Sequence, residues 1–265
     1  MKKFNYHTPL SIDEGYRLYQ SREFPQYLAG GMTLLPSIKQ GLSAPTDLID
    51  LNSINDMKGV SYNNGKLIIG SLTTHNEVAC SKIVLKKLPG LATLASKIAD
   101  NAIRNKGTLG GSVCNADPAA DYPAALLSLR AKLVTNKRQI HASEFFIDMF
   151  ETSLEPGEIL KSIFFDVGEY SCYEKFSSQA SKYAIVGVFL SIINSKVNVA
   201  VTGASNKVFI IKEISNCDIG KLKEFDLEKL DLNTYDINND INASSEYRIS
   251  IIKTLIKKIL NKVST

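Results

Sequence analysis

Short strands and short helices alternate along this chain, and an early hairpin breaks the alternation, which limits the fold more than any other feature. Ser11-Ile12-Asp13-Glu14 has the spacing of a capping box and predicts a helix to about Gln20. Residues 26–29 read as a strand stopped by Gly30-Gly31, residues 33–39 as a helix ending at Gly41, and residues 48–51 as another strand. Residues 57–62, the turn Asn63-Asn64-Gly65 and residues 66–70 make a hairpin. A helix over 89–99 places Leu91, Leu94, Ala95 and Ile98 on one face, and a polar loop over 100–108 leads into Gly110-Gly111. Asp121 suits a helix N-cap, with Pro123 in the first turn and the helix running to about Leu129.

Strands follow at 132–135 and 159–165. The pattern changes around 166–171. This divides the chain into residues 1–168, with subdomains of about 1–55 and 56–168, and residues 169–265. The second part shows strands at 185–193, 197–203 and 208–214, then an acidic, Asn-rich link over 218–242. A last helix begins after Ser244-Ser245, with Ile249, Ile252, Leu255, Ile256, Ile259 and Leu260 as its apolar stripe and Lys253, Lys257 and Lys258 facing water. Hairpins among interleaved helices and strands predict an α+β fold, not a doubly wound sheet.

Several function classes drop out. The most apolar stretch, residues 184–193, is too short to span a bilayer and reads as a buried strand. The start, Met1-Lys2-Lys3-Phe4, has no apolar run behind its lysines, so no signal peptide is expected and the cytoplasm is the expected location. Cys80, Cys114, Cys172 and Cys217 lie far apart, as do His7, His75 and His141, so no metal or disulfide framework is expected within this chain. The net charge of +4 is mild and the lysines are dispersed, without the basic stripe interleaved with aromatics of a nucleic-acid binder.

Two segments carry more chemistry than the rest: Ala29-Gly30-Gly31-Met32-Thr33 and Thr108-Leu109-Gly110-Gly111-Ser112. Each is a glycine pair with a hydroxyl residue after it. Glycines let a backbone approach a ligand closely, and successive N–H groups can then converge on an anion, helped by a following helix N-terminus. Taken singly, each pair reads more readily as a tight turn. Neither matches Gly-x-Gly-x-x-Gly or Gly-x-x-x-x-Gly-Lys. Asp121 is equally double-sided: a helix cap, or a carboxylate able to accept hydrogen bonds from ribose or ribityl hydroxyls. Lys175, within Tyr173-Glu174-Lys175-Phe176, is a surface lysine or a cation beside an aromatic ring where a second domain closes over a flat ligand.

Together these segments and Ala116-Asp117-Pro118-Ala119-Ala120-Asp121-Tyr122-Pro123-Ala124 resemble the FAD-binding medium subunit of molybdenum hydroxylases. The likeness is strongest to the medium subunit of aerobic carbon monoxide dehydrogenase and weaker to the FAD domain of xanthine dehydrogenase. Ile98-Ala99-Asp100, Ile103-Arg104, Glu155-Pro156-Gly157-Glu158, Tyr173-Glu174-Lys175 and Glu246-Tyr247-Arg248 fall in family order too, so the resemblance covers nearly the whole chain.

The resemblance implies two N-terminal α/β subdomains and a small C-terminal α+β domain with an antiparallel sheet. It implies an oxidoreductase subunit whose Ala29, Gly30, Gly31, Met32, Thr33, Thr108, Leu109, Gly110, Gly111 and Ser112 hold the FAD diphosphate. Asp121 would meet the ribityl or ribose part and Lys175 would lie near the flavin ring. It also implies two partners, a small subunit with two iron–sulfur clusters and a large one with the molybdenum cofactor, in a dimer of heterotrimers. Electrons would pass from the clusters to FAD and on to a quinone or NAD, with no catalytic side chain in this chain. A stand-alone FAD-dependent oxidoreductase of the same fold is the other reading. The chain departs from the family at Ser112, where Asn is common, at Met32, and at Ser177-Ser178-Gln179 and Lys182, where Arg or Lys and then Asp are usual. The first changes one hydrogen bond, Met32 sits at a variable position, and the changes after Lys175 alter the charge pattern near the flavin, which bears on the electron acceptor more than on FAD binding.

Overall fold

The computed structural model describes residues 2–263. Three sheets follow one another along the chain. The first holds β1 (Asn5–His7), β2 (Pro25–Leu28) and β3 (Asp47–Asp50), with α1 (Ile12–Gln20) and α2 (Leu34–Lys39) as crossovers. Its order is β1-β3-β2 and both pairings are parallel. Ser11 caps α1 by accepting from Glu14 N–H at 3.2 Å, as the capping box predicts.

The second sheet is antiparallel. The hairpin of β4 (Val60–Asn63) and β5 (Lys66–Gly70) opens it. Five helices and one turn of helix follow: α3 (His75–Cys80), α4 (Lys82–Lys87), α5 (Pro89–Ser96), α6 (Asn101–Arg104), α7 (Leu109–Asn115) and α8 (Tyr122–Ser128). Then come β6 (Lys132–Thr135), β7 (Gln139–His141), the turn α9 (Ala142–Phe145), a small ribbon of β8 (Phe146–Asp148) and β9 (Glu151–Thr152), and β10 (Leu160–Asp166). The strand order is β4-β5-β10-β6-β7. The third sheet, also antiparallel, is β11 (Tyr170–Ser177), β12 (Ala184–Ile193), β13 (Lys196–Thr202) and β14 (Phe209–Ile210), followed by α10 (Ile219–Glu224) and the long α11 (Ser245–Val263).

The α+β expectation is met, and several local expectations are corrected. The loop expected over 100–108 contains α6, because Asp100 caps it by accepting from Ile103 N–H at 2.8 Å. The expected strand over 208–214 stops at Ile210. Ile211 and Ile214 are both fully buried, an i, i+3 spacing that a 3-10 turn at Lys212–Ile214 satisfies and a strand does not. The acidic link holds α10, anchored by buried Leu222. Asp121 occupies an N-cap position but makes no capping bond from its side chain. Gly110-Gly111 is no open turn; it lies inside the first turn of α7.

Packing ties the three sheets together. The main apolar core joins α5, α7 and α8 to β5, β6 and β10, and takes in Tyr173, Phe189, Ile193 and Ala200 from the third sheet and Val208 from the loop before β14. A smaller core joins Ile49 and Leu51 to Leu72 and Ile159. A third lies between β12, β13 and the stripe of α11. A long cleft runs where these layers meet.

Candidate functional site

The first glycine segment leaves β2 and turns into α2. Gly31 has φ +72°, a left-handed conformation that a side chain resists, and a Cβ there would sit 2.9 Å from Leu35 Cδ1. A Cβ on Gly30 would lie 2.0 Å from the Lys106 carbonyl oxygen and 2.7 Å from Gly107 Cα. The first segment therefore packs directly against the strand of chain that leads into the second. Asn52 Nδ2 steadies it by donating to the Ala29 carbonyl at 2.8 Å. Among the described residues, no acceptor takes the backbone N–H of Gly30, Gly31, Met32 or Thr33.

The second segment differs. Leu109 N–H donates to Thr73 O at 3.0 Å, Gly110 N–H to Ser71 O at 2.8 Å, Gly111 N–H to Thr108 Oγ1 at 3.1 Å, and Ser112 N–H to Thr108 O at 3.0 Å. The expectation that its N–H groups are free to converge on an anion is therefore corrected: a helix cap and a neighbouring strand end already take them. Gly110 instead permits close packing, since a Cβ there would lie 2.4 Å from Ser71 Cβ. Gly111 faces the first segment, where its Cβ would come 3.5 Å from that of Ala29. Two segments remote in sequence thus meet, one presenting unpaired amides and the other a surface with no side chain.

Both line one cleft of ≈ 860 Å³, near the top of the ~300–1,000 Å³ range of small-molecule sites. Ala29, Gly30, Gly31, Met32, Thr33, Thr108, Gly110, Gly111, Ser112 and Asp121 all contribute to its wall. Leu109 is a fully buried core residue, and Lys175 is set back from the wall. Lys182 is the one lysine or arginine among the described residues lining the cleft, so an anion at the glycine segments would depend on neutral donors.

Asp121 and Lys175 hold each other. Lys175 Nζ lies 2.9 Å from Asp121 Oδ1 and 3.1 Å from Oδ2, and the Tyr173 hydroxyl also donates to Asp121. Lys175 further donates to the carbonyls of Lys97 and Lys182, each at 2.9 Å. Burial pushes the Asp121 carboxyl above its ordinary range, against the pull of Lys175. The ammonium thereby fixes the hairpin between β11 and β12, whose Lys182 and Tyr183 close one end of the cleft. Tyr183 is half-exposed there. Asp117 lines the same end and its carboxyl is raised by burial.

At the other end Tyr19 and Tyr27 stack with centroids 4.9 Å apart. The Tyr27 hydroxyl donates to Gly157 O at 3.1 Å. The turn Glu155-Pro156-Gly157-Glu158 is tied down at buried Glu158, which accepts from Arg138 at 3.1 Å, Thr135 at 2.6 Å and Glu155 N–H at 2.9 Å. Burial alone would raise Glu158, but Arg138 and these hydrogen bonds hold it below the usual carboxylate range.

Tyr19, Tyr27, His75, Gly107 and Tyr183 line the wall and are not among the candidates read from the sequence. Tyr183 and Gly107 sit in otherwise ordinary stretches. His75 is one of three histidines scattered in sequence, although Thr74 and Glu77 around it form a reciprocal capping box that marks a helix start. No group of three or more His, Cys, Asp or Glu among the described residues could hold a metal ion, and no helix among them is long and apolar enough to cross a membrane.

Residues 2–165 match the family described as FAD binding domain in molybdopterin dehydrogenase. The chain is 30% identical over 277 residues to the glyceraldehyde dehydrogenase medium chain of Sulfolobus acidocaldarius, covering 99% of each. It is 34% identical over 193 residues to the carbon monoxide dehydrogenase medium chain of Hydrogenophaga pseudoflava, covering 70% of this chain and 67% of that one. Among solved structures, a chain of the reconstituted CO dehydrogenase from Oligotropha carboxidovorans superposes with a TM-score of 0.87 at 27% identity, covering 97% of this chain and 96% of the other.

Proposed function

This chain belongs to the family of FAD-binding domains of molybdopterin dehydrogenases, and from that premise we propose that it is the electron-transfer subunit that takes electrons from iron–sulfur clusters in a partner and passes them through FAD to a quinone or NAD. One observation carries the reading: two sequence-remote glycine segments meet across a cleft, one of them offering unpaired N–H groups from Gly30 to Thr33.

The residues present fit a dinucleotide. The cleft is large enough, and a side chain at Gly30 would force apart the two segments that meet along it. Bound FAD supplies a capacity that no side chain here has, since a flavin accepts electrons singly and releases them as a pair. The chain's own residues bind and orient it. The amides of Gly30, Gly31, Met32 and Thr33, with the hydroxyls of Thr33 and Ser112, would donate to the diphosphate. Thr108, Leu109, Gly110 and Gly111 would shape the opposite side of its seat. The stacked Tyr19 and Tyr27 favour adenine at their end, while Asp117, Lys182 and Tyr183 favour the flavin ring at the other. Asp121 and Lys175 would serve the flavin end as a pair. Lys175 neutralises Asp121 and anchors the hairpin that carries Tyr183.

The partners follow from the same reading: a small iron–sulfur subunit and a large molybdenum-cofactor subunit, assembled as a dimer of heterotrimers in the cytoplasm. Relatives are named as medium chains of a glyceraldehyde dehydrogenase and of a carbon monoxide dehydrogenase, which favours substrate choice in another subunit. The test is the absorbance of the purified full-length chain. Flavin bands at stoichiometric occupancy, or their recovery on adding FAD to stripped protein, are expected. Protein without flavin bands that regains none would refute the reading. Rapid mixing of the reduced holoprotein with NAD and with a quinone analogue then identifies the acceptor.

A further inference from the structure

His75 opens α3 and is 4% exposed. Its main chain is fixed, with N–H donating to Gly107 O at 2.9 Å. Its imidazole Nδ1 lies 3.2 Å from the Tyr122 hydroxyl. Its Nε2 has no hydrogen-bond partner among the described residues, although the ring forms part of the cleft wall. A Cβ on Gly107 would come 2.7 Å from that Nε2, and Gly107 is the residue against which Gly30 packs. The free nitrogen therefore sits at the junction of the two glycine segments.

The Tyr122 side chain decides which nitrogen carries the proton. Tyr122 is fully buried, and its hydroxyl has no polar partner among the described residues except His75 Nδ1. A buried O–H left without an acceptor is costly, so the phenol donates and Nδ1 accepts. The imidazole proton then resides on Nε2, the atom with no protein partner.

We propose that His75 is a cofactor-binding residue, held by Tyr122 as the neutral Nε2–H tautomer and donating a hydrogen bond to an oxygen of the dinucleotide between its two ring systems. The inference rests on the FAD-binding reading above and adds one donor and its protonation state to it. Burial, with Arg104 facing it from α6, lowers the imidazole to about 4, so it stays uncharged through the physiological range. Asp121, next to Tyr122, is paired with Lys175.

Two measurements on the full-length chain test it. The first is the tautomer, read from the ring nitrogen shifts of 15N-labelled His75 in the flavin-free protein. A protonated Nε2 and bare Nδ1 that do not titrate between about pH 5 and 8 are expected; Tyr122→Phe should release the lock and mix the tautomers. A protonated Nδ1, or a ring that titrates there, overturns the proposal. The second is FAD affinity by fluorescence titration. One neutral hydrogen bond of ~0.5–1.5 kcal/mol predicts that His75→Phe weakens binding about 2- to 12-fold. His75→Gln, whose amide N–H can reach the same point, should recover most of the loss. A folded His75→Phe protein that binds FAD like the parent overturns the proposal while leaving the FAD reading intact. Failure of the parent itself to bind FAD overturns both, and the tautomer measurement then still reports separately on the Tyr122 lock.

Discussion

At the scale of single residues, the glycines of the cleft do different work, and substitution should separate them. Gly30→Ala would drive a methyl into the Lys106 carbonyl, a backbone atom that cannot swing aside. The expected result is a loss of about 1–3 kcal/mol in stability together with loss of flavin. Gly41→Ala is the control: φ is +78° with nothing within 4 Å, so strain near 1 kcal/mol and an unchanged flavin content are expected. Gly111→Ala keeps helical geometry, meets only Thr108 Oγ1 closely, and projects toward Ala29. It should fold with little loss and still hold less FAD. Urea titration and the flavin-to-protein absorbance ratio measure all three. Both glycine pairs, Asp121 and Lys175 were visible in the sequence as double-sided residues, and only the family resemblance gave them a place around a cofactor. Which pair has spare N–H groups could not be read there, because Ser71, Thr73 and Thr108 reach the second pair only after the chain has folded. The Asp121–Lys175 contact is likewise a meeting of residues 54 apart.

At the scale of elements, β11 and α11 show how a charged residue can fasten a helix to a sheet. Glu174 on β11 is 3% exposed. It accepts from Lys258 at 2.9 Å and Lys262 at 2.5 Å, both on α11, and lies 3.6 Å from Lys97 Nζ at the end of α5. Burial alone would raise its pKa, but the bonds from Lys262 and Lys258 and the nearby Lys97 bring it down to about 2. A folded-state pKa below the unfolded value means that this stabilisation is fully present above about pH 4.5 and disappears as pH falls toward 2. Glu174→Gln should therefore flatten the acid limb of stability against pH over that window, and amide exchange in α11 should quicken at neutral pH. An acid limb as steep as the parent's would count against this fastening. The apolar stripe of α11 was readable from its period, whereas the pairing of Lys258 was not: a lysine on the polar face looks solvated until β11 arrives beneath it. β11 itself escaped notice because buried Cys172, Tyr173 and Glu174 are consecutive and break the alternation expected of a strand. α3 and α4 were missed although Thr74 and Ser81 cap them, since each is only six residues long and shows too little of an apolar period.

At the scale of the whole molecule, the division proposed from sequence, residues 1–168 and 169–265, crosses a shared core. All seven residues of α8 are buried, with β12 and β13 packed on it, and Tyr173 and Phe189 lie in the same apolar cluster as Leu126 and Leu133. Lys175 adds a polar fastening across the same line, joining the end of α5, the start of α8 and the β11–β12 hairpin in one ammonium group. The two parts should therefore unfold together. A single urea transition, with circular dichroism, tyrosine fluorescence and flavin release coincident, is expected; separate transitions would show that each part stands alone. Lys175→Met removes one member of a buried pair and should cost about 3–5 kcal/mol, since Asp121 is left buried with Tyr173 as its remaining partner. Adding Asp121→Asn removes the stranded charge, so the double variant should be more stable than the sum of the single losses allows. The same cycle repeated with saturating FAD separates architecture from binding. If the pair acts on the cofactor by anchoring the hairpin, the double variant should recover stability without recovering affinity, because Tyr183 and Lys182 would still lack the ammonium that holds their loop against the cleft.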